Sequence, residues 1–378
     1  MAALNEEQSI LKDQAIAWIN DNGPVAAFRA MRDSGNPLGF EQATWSAMAD
    51  MGWPGILVPE EFGGSNLGYL TFGLILEELG KQLTASPLLA SGLVGAAALI
   101  LGGNAAQKKA CLPRIADGSR IVTLAVDEST RHDPAGIALA AHKTANGFAL
   151  SGDKCFVVEG GAATDFVVAA RTAGNAGDAN GITLFLVDGA ADGISRTLLR
   201  TADSRGYAHL KFANLEVSHA AVLGDVDNGG ALLDAILDRA RAGVAAEMLG
   251  TASQAFAMTL EYLKTRKQFG QVIGAFQALG HRAAELYTEM ELARSAVEGA
   301  LAAIDADAAD VPAMCSLSKC KAGAFLFRMS NQLIQIHGGI GMTDEFDAGF
   351  YLKRARALET MYGNQGFHRA RFATLMGF

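Results

Sequence analysis

The chain has 378 residues, half of them hydrophobic, and a net charge of -9. That length is too great for one simple core and suits two or three packed domains. An acidic balance with no run of basic residues argues against nucleic acid and anionic membrane surfaces as partners.

In chain order, the opening MAALNEEQSILKDQ lacks a basic n-region and an apolar core, so no secretory signal is expected. Residues 1–119 are expected to be helical. Ile10 to Ile19 and Phe40 to Met51 carry helical apolar spacing, and Leu74 to Leu83 follows Thr71 as N-cap. Pro54, Pro59 and Gly63-Gly64 mark a loop between these helices. The longest apolar stretch, Ala90 to Leu101, is interrupted by Ser91 and Gly92 and is too short to cross a bilayer.

Residues 120–226 change texture. Strand-like runs occur at Ile121 to Val126, Phe148 to Leu150, Cys155 to Val158, Phe166 to Ala169, Thr183 to Val187 and Leu210 to Phe212. Gly147, Gly152, Gly160-Gly161 and Gly177 to Gly181 are the expected turns between them.

Residues 227–378 return to helix, first with Leu232 through Leu263, then from about Gln277 to Ala303 and from about Ser316 to Ile336. Phe325, Met329 and Leu333 fall at core positions of the last of these. Long helices with short connections predict a bundle. Helices, then strands, then helices predict an α+β fold with segregated layers instead of a Rossmann sheet.

The four cysteines, Cys111, Cys155, Cys315 and Cys320, make no CxxC pair or metal-ligand spacing, so reduced thiols in a cytoplasmic protein are expected. His132, His281, His337 and His368 likewise form no metal site. The first two and His368 read as surface or loop residues.

The chemistry is carried by Arg266-Lys267-Gln268-Phe269-Gly270, followed by Phe276-Gln277, and far downstream by Gln335-Ile336-His337-Gly338-Gly339-Ile340-Gly341. With these motifs, together with Val58-Pro59-Glu60-Glu61-Phe62-Gly63-Gly64 and Leu150-Ser151-Gly152-Asp153-Lys154, the sequence closely resembles the acyl-CoA dehydrogenase family over nearly its whole length. The resemblance implies an N-terminal helical domain, a middle β-barrel-like domain and a C-terminal four-helix bundle. It also implies FAD as cofactor, an acyl-CoA substrate and electron-transferring flavoprotein as acceptor. The expected assembly is a dimer of dimers, homo- or hetero-oligomeric.

In such proteins the two motifs bind the FAD of a neighbouring subunit. A guanidinium such as Arg266 grips a pyrophosphate bidentately. Glycines at 338 and 339 let backbone amides approach a ligand. Gln268, Phe269, Gln277, Gln335 and Gln365 match positions near the cofactor. In the β zone, Leu124 to Glu128 matches the strand and loop beside flavin and substrate. Phe156 matches a ring-packing residue, and Val158 stands where many members place a threonine that contacts flavin N5. The substrate loop reads Ser129-Thr130-Arg131-His132-Asp133-Pro134, a departure from the family's Gly-rich pattern.

The family reaction removes an α proton with a carboxylate while the β hydride passes to the flavin. Both usual positions for that carboxylate lack one here: one holds Gly363, the other Ala240. Glu247, two turns along the helix from Ala240 and displaced by about 10.5 Å, is the candidate base. Its competing reading is a buried ion-paired glutamate. Asp127, Glu128, Glu159, Asp344 and Glu345 are the remaining carboxylates, the last two read as a helix start. Gly363 is expected to offer its amide to the thioester carbonyl and to leave room for a bulky or branched acyl group, as in fatty acid or steroid catabolism. Arg241 matches a substrate-side arginine, with an ion pair to Asp238 as the alternative. Two functions remain open: an active dehydrogenase, and a base-deficient, non-catalytic subunit of an α2β2 enzyme. A third, weaker option is an oxidase or monooxygenase on the same scaffold.

Overall fold

A computed structural model describes residues 4–378; the first three residues of the opening segment lie outside the described part. The order of elements is helix, strand, helix, and the fold is α+β. The N-terminal part supplies α1 (Glu6–Asn22), α2 (Val25–Ser34), α3 (Gln42–Asp50), α4 (Gly68–Gln82), α5 (Ala96–Gly102) and α6 (Ala105–Ala116). The central strands are β1 (Val122–Ala125), β2 (Ala140–Lys143), β3 (Gly147–Val158), β4 (Asp165–Arg171), β5 (Ile182–Asp188), β6 (Ile194–Leu199), β7 (Tyr207–Ser218) and β8 (Val222–Leu223). The C-terminal part holds α7 (Gly230–Thr265), the short hairpin β9 (Lys267–Gln268) and β10 (Gln271–Val272), then α8 (Gln277–Asp305), α9 (Val311–His337), α10 (Ala348–Thr360) and α11 (Gln365–Leu375).

Local sequence accounts for several boundaries. Asn5 and Gln8 form a capping box at α1, and Asn104 with Gln107 does the same at α6. Pro312 sits in the first turn of α9, where its missing N–H costs nothing, and Gly338 ends that helix. One boundary differs from expectation. α4 begins at Gly68, so Thr71 lies inside its first turn, buried, and is not an N-cap.

The chain packs as two compact units. One joins Ala30–Gly68 with Ala85–Ala240. Its eight strands form one sheet in the order β6-β7-β3-β2-β4-β5-β8, with β1 lying parallel to β4. β4 reads DFVVAAR and is buried at every position, as a strand covered on both faces should be. β3 was expected as two short strands with Gly152 as a turn between them. It is a single strand, and Gly152 marks a shift in its register against β7. A second shift falls between Lys154 and Val157. Such bulges re-aim side chains, and this one turns Phe156 outward.

The other unit joins the described residues up to Arg29 with Tyr69–Thr84 and Arg241–Phe378. α9 is its central helix, packed against α8, α10 and α11. Phe325, Met329 and Leu333 are fully enclosed in that core, as their spacing predicts. α4 and α7 approach so closely that a Cβ on Gly250 would lie 1.8 Å from the Glu77 carbonyl oxygen. Among the described residues no helix is long and apolar enough to cross a membrane. All four cysteines are free.

Candidate functional site

The helical unit presents the residues matched to flavin binding on an open surface. α7 ends at Thr265, and Arg266, Gln268, Phe269 and Gln277 follow, all exposed. Phe269 is 91% accessible and has a positive φ of 51°. The Arg266 guanidinium makes no ion pair among the described residues. Gln335, Gly338 and Gly339 are exposed at the end of α9. Gly338 has φ 62° and ψ -134°, a region in practice open only to glycine. A Cβ on either glycine would meet nothing within 4 Å. Packing within the chain therefore does not explain the glycine at 339. A guanidinium outside any ion pair and open glycine backbone are donors of the kind an anionic ligand can use, and the exposed Phe269 ring adds an apolar surface beside them.

This surface is braced from behind. His337 is buried between Tyr262 and Phe346, with ring centroids 4.2 and 4.6 Å away. Its Nδ1 donates to the Leu333 carbonyl oxygen at 2.8 Å, and burial holds its pKa below the ordinary histidine value. A buried imidazole thus stacks between two aromatic rings just before the glycine loop. After the loop, Arg29 donates to the Asp344 carbonyl and carboxylate at 2.6 and 3.2 Å and to Asp347 at 2.6 Å, while stacking on Phe350. Asp344 and Glu345 precede α10 in this clamped loop, and Asp347 holds the N-cap position.

Glu247 is 8% accessible. Its Oε1 accepts from Arg354 Nε at 2.8 Å and lies 2.7 Å from Nη2. The geometry is the buried ion pair of the competing reading. The second oxygen, Oε2, accepts no hydrogen bond among the described residues. One carboxylate oxygen is therefore anchored and the other is unengaged. Ala240 is fully buried.

Around Gly363 the chain makes a tight, strained turn. Tyr362 has φ 53° and Gly363 φ 107°. Arg241, fully buried, stacks over Phe367 at 5.4 Å and points Nε at the Tyr362 carbonyl oxygen 3.5 Å away. His368 Nε2 is 3.1 Å from the same oxygen. His132 lies in a loop, one of its two expected places, and is buried there with Nδ1 on Asp127, whereas His368, expected at the surface or in a loop, is buried on α11. His281 is exposed. Gly363 N–H donates to the Thr360 carbonyl at 3.2 Å, so it is occupied in closing α10. A Cβ at 363 would lie 2.6 Å from Phe367 Cδ1 and 2.9 Å from His368 Nε2. Gly363→Ala is therefore expected to cost about 1–3 kcal/mol from backbone strain alone, read as a fall in the urea midpoint at unchanged slope.

Sequence reasoning missed Lys319. It is 1% accessible on α9, and its Nζ donates to the carbonyls of Leu358 at 3.0 Å, Glu359 at 3.3 Å and Gly363 at 3.0 Å. Burial pushes its pKa down to about 8; Glu359 opposes the shift and Arg241 adds to it. Gln365 is half-buried, and its N–H donates to Glu359 Oε1 at 2.9 Å.

In the sheet unit, Phe156 is exposed at the bulge and meets His209 edge-on at 5.0 Å. Val158 is half-buried, and its carbonyl accepts from Thr123 Oγ1 at 2.7 Å. Lys154 is fully buried and donates to Val126 O at 2.9 Å and Glu128 Oε1 at 2.7 Å. Burial lowers its pKa against the pull of Glu128. Glu128 also accepts the N–H groups of Ala138 and Leu139, so that carboxylate is committed to holding its loop. Asp127 accepts from His132 Nδ1 at 2.8 Å. Glu159 is buried with its N–H on the Gly206 carbonyl at 2.7 Å.

Comparison with known proteins identifies the family to which this helix–sheet–helix chain belongs. The profile described as acyl-CoA dehydrogenase, N-terminal domain, matches residues 5–119, and that described as acyl-CoA dehydrogenase, C-terminal domain, matches residues 227–376. The chain is 30% identical to the mitochondrial isovaleryl-CoA dehydrogenase of Pongo abelii over 97% of its length and 88% of that protein. It is 29% identical to the mitochondrial 2-methylacyl-CoA dehydrogenase of Solanum tuberosum, over 97% of this chain and 89% of that one. A chain in the crystal structure of the ChsE4-ChsE5 complex from Mycobacterium tuberculosis superposes with a TM-score of 0.88 at 25% identity, covering 100% of this chain and 99% of that one. The chain belongs to the acyl-CoA dehydrogenase family. That membership supports FAD as its cofactor, and the exposed donor set around Arg266 and Gly338 fits such a group.

Proposed function

We propose that the protein catalyses FAD-dependent α,β-dehydrogenation of an acyl-CoA thioester with a bulky or branched acyl group. The observation that carries this reading is the set of Arg266, Phe269, Gly338 and Gly339, all exposed, with Arg266 in no ion pair among the described residues and open space around both glycines. That set serves the pyrophosphate side of a flavin held by a neighbouring subunit, with Gln268, Gln277 and Gln335 beside it, so the active form is an oligomer. Phe156 and Val158 line the ring side. When bound, the flavin supplies the acceptor for the β hydride. Glu247, oriented by Arg354 through Oε1, takes the α proton on Oε2 as the C–H bond breaks and its electron pair forms the new double bond. Arg241 and the Gly363 turn hold the thioester end. Electron-transferring flavoprotein reoxidises the enzyme. The isovaleryl and 2-methylacyl specificities of the two similar dehydrogenases support a branched substrate.

The absence of a carboxylate at Gly363 and Ala240, and the ion pair at Glu247, favour a second reading: a base-deficient subunit of an α2β2 enzyme. Likeness to a chain of the ChsE4-ChsE5 complex points the same way. Anaerobic mixing of the purified yellow protein with a panel of acyl-CoA thioesters separates the two. Bleaching by the protein alone supports the first reading. Bleaching only after addition of a homologous partner chain supports the second. No bleaching under either condition sinks both.

A further inference from the structure

Lys319 is a buried cation that neither proton removal nor flavin binding employs. An apolar side chain at the centre of α9 would avoid the cost of desolvating a charge. The ammonium has three donors, and three carbonyls meet them. Two of those carbonyls, of Leu358 and Glu359, would otherwise be loose ends of α10. The third belongs to Gly363 and is different, because it leads the peptide that continues into Asn364.

A trans peptide sets its C=O and N–H on opposite sides. With the Gly363 oxygen held on Lys319, the Asn364 N–H must face away from α9. That N–H has no acceptor among the described residues, whereas the preceding N–H, of Gly363, is already given to Thr360. A cation on the carbonyl of a peptide also withdraws density from its N–H and strengthens it as a donor.

We propose that Lys319 is a positioning residue for substrate: by holding the Gly363 carbonyl it aims and polarises the Asn364 N–H toward the thioester carbonyl oxygen. The proposal rests on the reading of the Gly363 turn as a thioester-binding segment. It moves the polarising donor one peptide along from the position that family resemblance suggests. The charged and titratable groups facing Lys319 are Arg241 from α7, Glu359 from α10 and Cys320 on its own helix, while His368 from α11 sits on the adjoining Tyr362 carbonyl.

The test uses the flavin-loaded protein and [1-13C]3-thiaoctanoyl-CoA, whose sulfur replaces the β carbon and so blocks dehydrogenation. The infrared carbonyl band of the bound thioester reports polarisation directly. In the wild type the band is expected below its position in water, and the shift is expected to fade as pH rises through about 8, where the ammonium is lost. Over the same window Lys319 binds fewer protons in the folded chain than in the unfolded one, where it titrates near its ordinary value of 10.5, so its own contribution to stability, read as the difference between wild type and Lys319→Met, should rise with pH as the band shift fades. A purely structural lysine would not give opposite trends. Lys319→Met should abolish the shift at every pH and weaken analogue binding about tenfold with flavin content unchanged. Lys319→Arg should retain part of the shift.

A shift that persists in Lys319→Met overturns the proposal, as does a wild-type shift that is flat with pH. If the methionine variant does not fold, the wild-type titration decides alone. If the wild type shows no shift at any pH, the reading of the Gly363 turn as a thioester site fails instead.

Discussion

Replacing Glu247 by glutamine should lower the rate of anaerobic flavin reduction by about 10²- to 10⁴-fold, the range for losing a positioned general base. Flavin content should not change, because Glu247 is not among the residues assigned to the cofactor. Glutamine keeps a carbonyl oxygen where Oε1 accepts from Arg354, so the fork contact at 2.8 Å can survive in neutral form. Arg354 then loses the charge of this one partner in a buried place. Breaking a buried pair outright costs about 3–5 kcal/mol, and retention of one hydrogen bond should bring the loss below that range. Rate and stability must therefore be measured together, by single-turnover reduction and by urea unfolding. A large rate loss with a small stability loss identifies Glu247 as the base. The reverse, a stability loss with an unchanged rate, leaves it as a structural ion pair and shifts the weight to the base-deficient subunit.

Arg266→Ala should strip the protein of flavin. Truncating one partner of a desolvated, hydrogen-bonded charge pair costs about 2–5 kcal/mol, on the order of 30-fold or more in Kd. Arg266 is exposed and unpaired in its own chain, so the stability of the flavin-free chain should change by less than about 0.5 kcal/mol. The ratio of flavin to protein absorbance after gel filtration, with the mass of the eluting species, reads both effects. A fully yellow Arg266→Ala protein would remove this arginine from cofactor binding and leave the exposed surface at the end of α7 without an explanation.

Much of this was written locally in the sequence. The 3.6-residue rhythm of α7, α8 and α9 and the β-branched runs of β1, β4 and β5 lie close to their observed bounds, because each pattern is short-range and its burial is one-sided or complete. β3 was less legible. Its bulge at Cys155 and Phe156 depends on pairing with β7, which lies more than fifty residues on. The same distinction governs the site. Arg266 and the Gly338 loop were found from contiguous motifs, and Gly363 from the residue it replaces. Arg354 lies 107 residues from Glu247, and Lys319 lies 44 from Gly363, with no local spacing to join either pair. A lysine inside an otherwise apolar helix was the available signal for Lys319, since an ammonium in such a place must find carbonyls.

Arg29 bears on the order in which the molecule can be completed. It grips a loop 315 residues further along, immediately after the glycines assigned to the cofactor. During synthesis α2, which carries Arg29, therefore waits for 315 further residues before its partner is made. Contacts so distant in sequence form late and expose their surfaces until they do. The segment after the glycine loop gains its brace only once both of these distant stretches have been made, so until then the loop is held from one side alone.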